Sequence, residues 1–134
     1  MHWIKLFGIV ATCAVASSFT DWLFMGVLFH NKYLATPEIW RNKPGESETN
    51  RILASTVIGF FSSGIFIVLC RWAEALTLRS EIHMAVLVWL AVAVPIVLNN
   101  ILWTKMHLLL GVSHSLGWLA RFVVTGLIAG WLLR

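Results

Sequence analysis

Four apolar runs, each reaching or exceeding the roughly 18–20 residues that cross a hydrocarbon layer of about 30 Å, take up most of this 134-residue chain. They fall at about 3–29, 51–72, 82–103 and 108–133. Backbone polar groups inside lipid must be satisfied within the chain, so such runs become helices. The expected fold is all-α: a four-transmembrane-helix bundle forming one integral membrane domain over residues 1–134. Only 12% of the residues are charged, about half the share in soluble domains, too few to give every helix a polar face.

The formal charge of +4 would suggest nucleic acid in a soluble protein. Here the basic residues mostly flank the apolar runs, where they meet lipid phosphates. The expected surroundings are therefore the lipid bilayer, with no nucleic acid partner. Orientation stays open. Lys5, Arg71, Arg79 and Arg134 lie on the side of the termini, against Lys32, Arg41, Lys43, Arg51 and Lys105 on the other, which gives no usable bias. Lys5 with Ala14-Val15-Ala16 resembles a cleavable signal, but apolar character continues to Phe29, about twice a signal's core. A retained first helix is expected.

The only long connection runs from His30 to Asn50. Within it, Thr36-Pro37-Glu38 reads as an N-cap, a proline at the first helical position and an acid at the positive helix end. That predicts a short interfacial helix over Pro37 to Arg41, broken by Lys43-Pro44-Gly45. Ser55, Gly59 and Ser63 give the second span a small face, and Gly126 and Gly130 form a GxxxG pair in the fourth. Such faces let helices approach closely in lipid and point to a homo-oligomer. Pro95 predicts a kink in the third span. The short connection from Ala73 to Glu81 makes the second and third spans antiparallel neighbours. Trp3, Trp72, Trp103 and Trp131 fall at span ends, as in an aromatic belt.

Function is sought among polar groups at hydrocarbon depth, where ionisable side chains are costly and default to functional candidates. Asp21, Asn99, Asn100, His114 and Arg121 are the group; most lie within roughly 6–20 Å of helix length from the long-loop side. His114, Trp118, Arg121 and Thr125 recur at i, i+4, i+7 and i+11 and form one stripe. A stripe of this kind must face protein. The six residues Asp21, Asn99, Asn100, His114, Trp118 and Arg121 are the candidate ligand-binding set. The plainer alternative is internal glue, with Asp21 and Arg121 as a buried ion pair.

No spacing suited to a metal is present; bis-histidine haem ligation, for example by His30 with His114, is conceivable, and no cofactor is assigned. Cys13 and Cys70 stand in different spans and read as packing residues. Serine pairs such as Ser62-Ser63 read as ordinary helix residues. Three functions fit: binding or transport of a small amphiphilic or charged ligand, an accessory membrane subunit that docks a partner, or an enzyme acting on a lipid-soluble substrate. In the enzyme reading, Asp21 or His114 is the base and Arg121 with an asparagine stabilises developing charge.

The stretch from Asp21 to Tyr33, the helix around Pro95 from Trp89 to Asn99, and the His114 region ending in Gly130-Trp131 together resemble a family of small bacterial four-helix membrane proteins catalogued as a domain of unknown function. The resemblance implies the four-span fold and a bacterial inner (plasma) membrane, and no known activity.

Overall fold

The computed structural model describes residues 3–39 and 47–133. Helix α1 (Trp3–Asp21) continues as a π-helical stretch (Trp22–Leu28), followed by a short α2 (His30–Leu34) and a 3₁₀ turn (Pro37–Ile39). Then come α3 (Thr49–Trp72), α4 (Leu78–Val88), a second π-helical stretch (Trp89–Ala93), α5 (Val94–Trp103) and α6 (Leu108–Leu132). No strand occurs among the described residues. Trp3–Leu28, Thr49–Trp72, Leu78–Trp103 and Leu108–Leu132 are each long and apolar enough to cross a membrane. The chain is a multi-pass integral membrane protein, and Trp3, Trp72, Trp103 and Trp131 are all strongly exposed at span ends.

Helix α6 is the hub. It packs against α1, α3, α4 and α5, while the second and third spans contact it more than they contact each other. Their short link therefore makes them antiparallel without making them close partners. What qualifies α6 for the centre is a surface of small residues: Gly111, Ser113, Ser115, Gly117, Gly126, Ala129 and Gly130 are all buried. In lipid, helices associate by close van der Waals approach and interhelical hydrogen bonds, which small residues permit. Ser63 and Thr125 share a hydrogen bond of 3.2 Å between α3 and α6. The Trp89 indole donates to the Ser115 carbonyl at 2.8 Å.

The Gly126–Gly130 pair does not lead outward to a second copy. Glu81 of α4 fills it: a Cβ on Gly126 would stand 3.3 Å from the Glu81 Cβ, and one on Gly130 would stand 3.0 Å from its Cδ. The expected homo-oligomer loses this face as its seam. Glu81 reaches it because α4 starts earlier than Ile82. Thr77 and Ser80 form a capping box, with the Thr77 hydroxyl accepting from the Ser80 N–H at 3.1 Å and the Ser80 hydroxyl accepting from the Thr77 N–H at 3.0 Å. The cap draws Leu78 to Glu81 into the helix. A Schellman closure ends α3 just before: the Ala75 N–H donates to the Cys70 carbonyl at 2.7 Å and the Glu74 N–H to the Arg71 carbonyl at 3.1 Å. Glu74 takes the left-handed position with φ 54°.

Pro95 acts as expected, in a specific form. It cannot donate to the carbonyl one turn back, and the Val94 N–H bonds instead to the Trp89 carbonyl five residues earlier. The wide turn makes room for the proline ring. The π-helical stretch after Asp21 has no such signal in the sequence. Beyond it the chain does not become a plain loop: α2 folds Tyr33 back into the bundle, where its hydroxyl donates to Ser113 Oγ at 3.3 Å. The Thr36 hydroxyl donates to the Lys32 carbonyl at 2.9 Å in place of capping the turn that follows. Trp40 and Arg41 of the expected interfacial helix, and the Lys43-Pro44-Gly45 break, lie outside the described residues.

Two outcomes follow from this packing. Gly130→Ala should lower stability by about 1–3 kcal/mol, the usual cost of overpacking, and the loss should shrink when Glu81→Ala is added; SDS-titration unfolding measures both. Tyr33 is the only tyrosine. Burial pushes its phenol up from the ordinary value near 10, and the Ser113 hydrogen bond offsets part of that. Its contribution to stability is thus complete below the unfolded phenol's pKa and lost as pH climbs above it. Tyrosinate absorbance of the folded protein should titrate above about pH 10, and higher still in Ser113→Ala.

Candidate functional site

The α1 helix ends at Asp21, and the wider π turn begins at the next residue. Such insertions recur at functional positions. Asp21 projects toward α6, where a Cβ on Gly117 would stand 4.0 Å from its Oδ1. Its Oδ2 accepts a charge-assisted hydrogen bond from Arg121 Nη2, forming an ion pair between the first and last spans. Arg121 lies 13 residues into α6 and 11 from its end, close to mid-membrane. Its side chain is only 7% exposed, against 24% for Asp21, so the carboxylate is the accessible half of the pair.

The rest of the guanidinium is satisfied by α3 and by its own helix. Its Nη1 donates to Ser62 Oγ at 3.3 Å. Ser62 is oriented as an acceptor because its own proton goes to the Gly59 carbonyl at 3.1 Å. Gly59 supplies room: a Cβ there would stand 2.9 Å from Arg121 Nη1. On the α6 side the Arg121 Cζ lies 4.9 Å from the Trp118 ring centroid, a favourable cation–π position. His114, one turn earlier, is within electrostatic range of Asp21 and packs edge-on against Tyr33 with ring centroids 5.8 Å apart. One turn before Asp21, Ser17 is fully buried, and its hydroxyl has no hydrogen-bond partner among the described residues. An orphaned buried hydroxyl beside an ion pair is an unusual feature in a packed bundle.

Of the six residues expected to converge, Asp21, His114, Trp118 and Arg121 come together. Asn99 and Asn100 do not: both are exposed. Helix α5 turns Val97 and Ile101 toward α6, where a Cβ on Gly111 would stand 3.0 Å from Val97 Cγ1 and 2.5 Å from Ile101 Cδ1. At about 100° per residue this carries Asn99 to the far side and Asn100 off the contact. His30 is exposed at the start of α2, and no group of three or more His, Cys, Asp or Glu residues suited to a metal ion occurs among the described residues.

Sequence reasoning passed over Ser62 and Gly59 as site members. The signal for Gly59 was its place in the Ser55–Gly59–Ser63 repeat, although Ser55 itself is exposed. It also placed Glu81 in a connection, whereas this carboxylate is 6% exposed within α4.

An apolar groove lies on the outside of the bundle, between the first span and α3. Val15, Ser18, Phe19 and Trp22 line it from the first span and Thr56 from α3, around a space of about 470 Å³. Ser18 and Trp22 flank Asp21 in sequence, while Asp21 itself turns toward α6 and does not line the groove.

No curated protein and no solved structure matches the chain. A family model does, over residues 9–130, from within the first span almost to the end of the last. With nearly the whole bundle inside that match, the chain belongs to the family described as Protein of unknown function (DUF1761).

Proposed function

We propose that this protein is a membrane-embedded binding or transport module that takes up a small amphiphilic anion together with a proton at the Asp21–Arg121 pair. The observation that carries this is the asymmetry of the pair: a buried guanidinium held by a partly exposed carboxylate. Arginine keeps its proton in proteins, so Arg121 needs a negative partner at all times. Asp21 can become neutral. When it takes a proton, the guanidinium is left uncompensated in a poorly polarisable interior, a costly state. An entering anion removes that cost. Pair alone and pair with proton and anion both carry zero net charge, so the exchange adds no charge to the bilayer.

The surroundings suit such a ligand. The outer face of the first span, where Val15, Ser18, Phe19 and Trp22 line an apolar groove, offers walls for a hydrocarbon tail, and the unpartnered Ser17 hydroxyl lies one turn from Asp21. The titratable and charged groups near Asp21 are Arg121 and His114 of α6; His30 and Lys32 of α2 are exposed at the end of the bundle, and α3 presents Ser62 and Gly59 without charge. The acid–base enzyme reading has less support, because the asparagines it required stand exposed on α5. A purely accessory role would leave the groove without a use. Helical spans, as opposed to barrel strands, fit a bacterial inner (plasma) membrane.

An alkyl sulfonate keeps its charge across the accessible pH range, so any pH dependence of its binding belongs to the protein. Decanesulfonate titrated calorimetrically against the full chain in nanodiscs should bind at least about tenfold more tightly near pH 5 than near pH 8. Asp21→Asn should bind it equally well at both values, Arg121→Gln at neither, and His114→Gln should retain the pH dependence. Affinity that ignores pH in the unaltered protein, or survives Arg121→Gln, would contradict the proposal.

A further inference from the structure

Asn99 and Asn100 stand on the outside of α5, and both are exposed. They nonetheless lie at hydrocarbon depth. From Met84, just past the exposed His83, to the strongly exposed Trp103 is about 30 Å of helix, the full thickness of the apolar layer. Moving the span along its axis until both amides reached the head groups would draw His83 into lipid. Asn99 sits one turn inside the boundary, about 6 Å from Trp103 along the axis. Hydroxyls nearer the outer surface are satisfied within their own helices: Thr12 and Thr56 each donate to the carbonyl one turn back at 2.9 Å. An asparagine side chain carries two N–H donors and a carbonyl. Neither the Asn99 nor the Asn100 side chain has a hydrogen-bond partner among the described residues. An amide left in that state in lipid is costly.

We infer that this face of α5 is the seam between two copies of the chain inserted in the same direction, with the Asn99 amides of the two copies hydrogen-bonded to each other. An amide carries donor and acceptor together, so two of them related by a twofold axis satisfy one another. Lipid tails offer neither group. A phosphate oxygen would accept from the amide nitrogen but leave the amide carbonyl without a donor. The surrounding surface agrees. Pro95, Ile96, Leu102 and Trp103 are exposed beside Asn99, and they flank it at the three- and four-residue spacing of a helix-pair seam. In coiled coils a single core asparagine fixes register and favours two strands. Depth fixes direction. In a parallel pair the two Asn99 side chains meet. In a copy inserted the other way, the matching depth falls near Leu87, and each amide would face apolar surface. The seam therefore imposes a common direction of insertion that the balanced loop charges do not.

The full chain, carrying a donor or an acceptor fluorescent protein at its C-terminus, is reconstituted in phosphatidylcholine vesicles over a range of protein-to-lipid ratios. Energy transfer should follow a monomer–dimer curve, and excess unlabelled chain should suppress it. Asn99→Leu should move the midpoint to about tenfold higher protein density, whereas Asn99→Gln, which retains an amide, should keep most of the association. Because the Asn99 side chain is exposed, both variants should unfold in SDS at the parent's midpoint, which separates loss of pairing from loss of fold. Under mild oxidation Asn99→Cys should form an intermolecular disulfide, and Ile58→Cys, exposed on α3, should not; the native Cys13 and Cys70 are buried. Absence of energy transfer at every density would overturn the proposal and leave the amides to head groups or to a different membrane protein. So would association that Asn99→Leu leaves unchanged, or a disulfide that forms more readily at Ile58→Cys than at Asn99→Cys.

Discussion

The ion pair between Asp21 and Arg121 joins the first span to the last near the middle of the bilayer, and the surrounding structure is arranged to tolerate it. A lone guanidinium at that depth would have to reach toward the head groups or draw water inward. Here Ser62, Trp118 and the space above Gly59 receive it. Such a pair need not stabilise the fold relative to well-packed apolar residues of the same volume, because two desolvation costs stand against one attraction. It does make each partner indispensable to the other. That mutual dependence underlies both the docking of α1 on α6 and the coupling of proton and anion proposed for the site.

Close approach is the second organising constraint. Water does not drive these helices together, so contact area and hydrogen bonds must. Small residues on α6 admit α4 so closely that Glu81 rests in the recess formed by Gly126 and Gly130. Polar groups lie at both ends of this arrangement: Asp21 and His114 toward the long-loop side, Glu81 and Arg71 toward the termini. Between them stand Phe66 and Phe122, with ring centroids 5.2 Å apart. The aromatic pair separates the two regions along the bundle.

Much of the fold was legible because lipid imposes a strong rule on sequence. Run length and low charge led to four spans, Pro95 marked a backbone irregularity, and tryptophans marked the span ends. The i, i+4, i+7 spacing of His114, Trp118 and Arg121 placed them on one face, and Asp21 was the carboxylate at a matching depth. Depth, however, says nothing of direction around a helix axis. Asn99 and Asn100 had suitable depth, yet the packing of Val97 and Ile101 on Gly111 turns them outward. The GxxxG pair was visible as a close-packing face, but nothing in its spacing distinguishes a partner within the chain from a second copy. The Thr77–Ser80 cap is the local signal that brings Glu81 into α4. The π-helical stretch after Asp21 and the return of Tyr33 to Ser113 depend on tertiary contacts between residues far apart in sequence.

A double-mutant cycle on the ion pair tests the account most directly. The unfolding free energies of Asp21→Asn, Arg121→Gln and the combined variant would be compared with the parent by SDS titration. The buried-pair account predicts that each single change costs about 3–5 kcal/mol, because a charge is stranded, and that the double variant is more stable than either single one. Losses that simply add in the double variant would show that the two side chains act independently and would contradict the account.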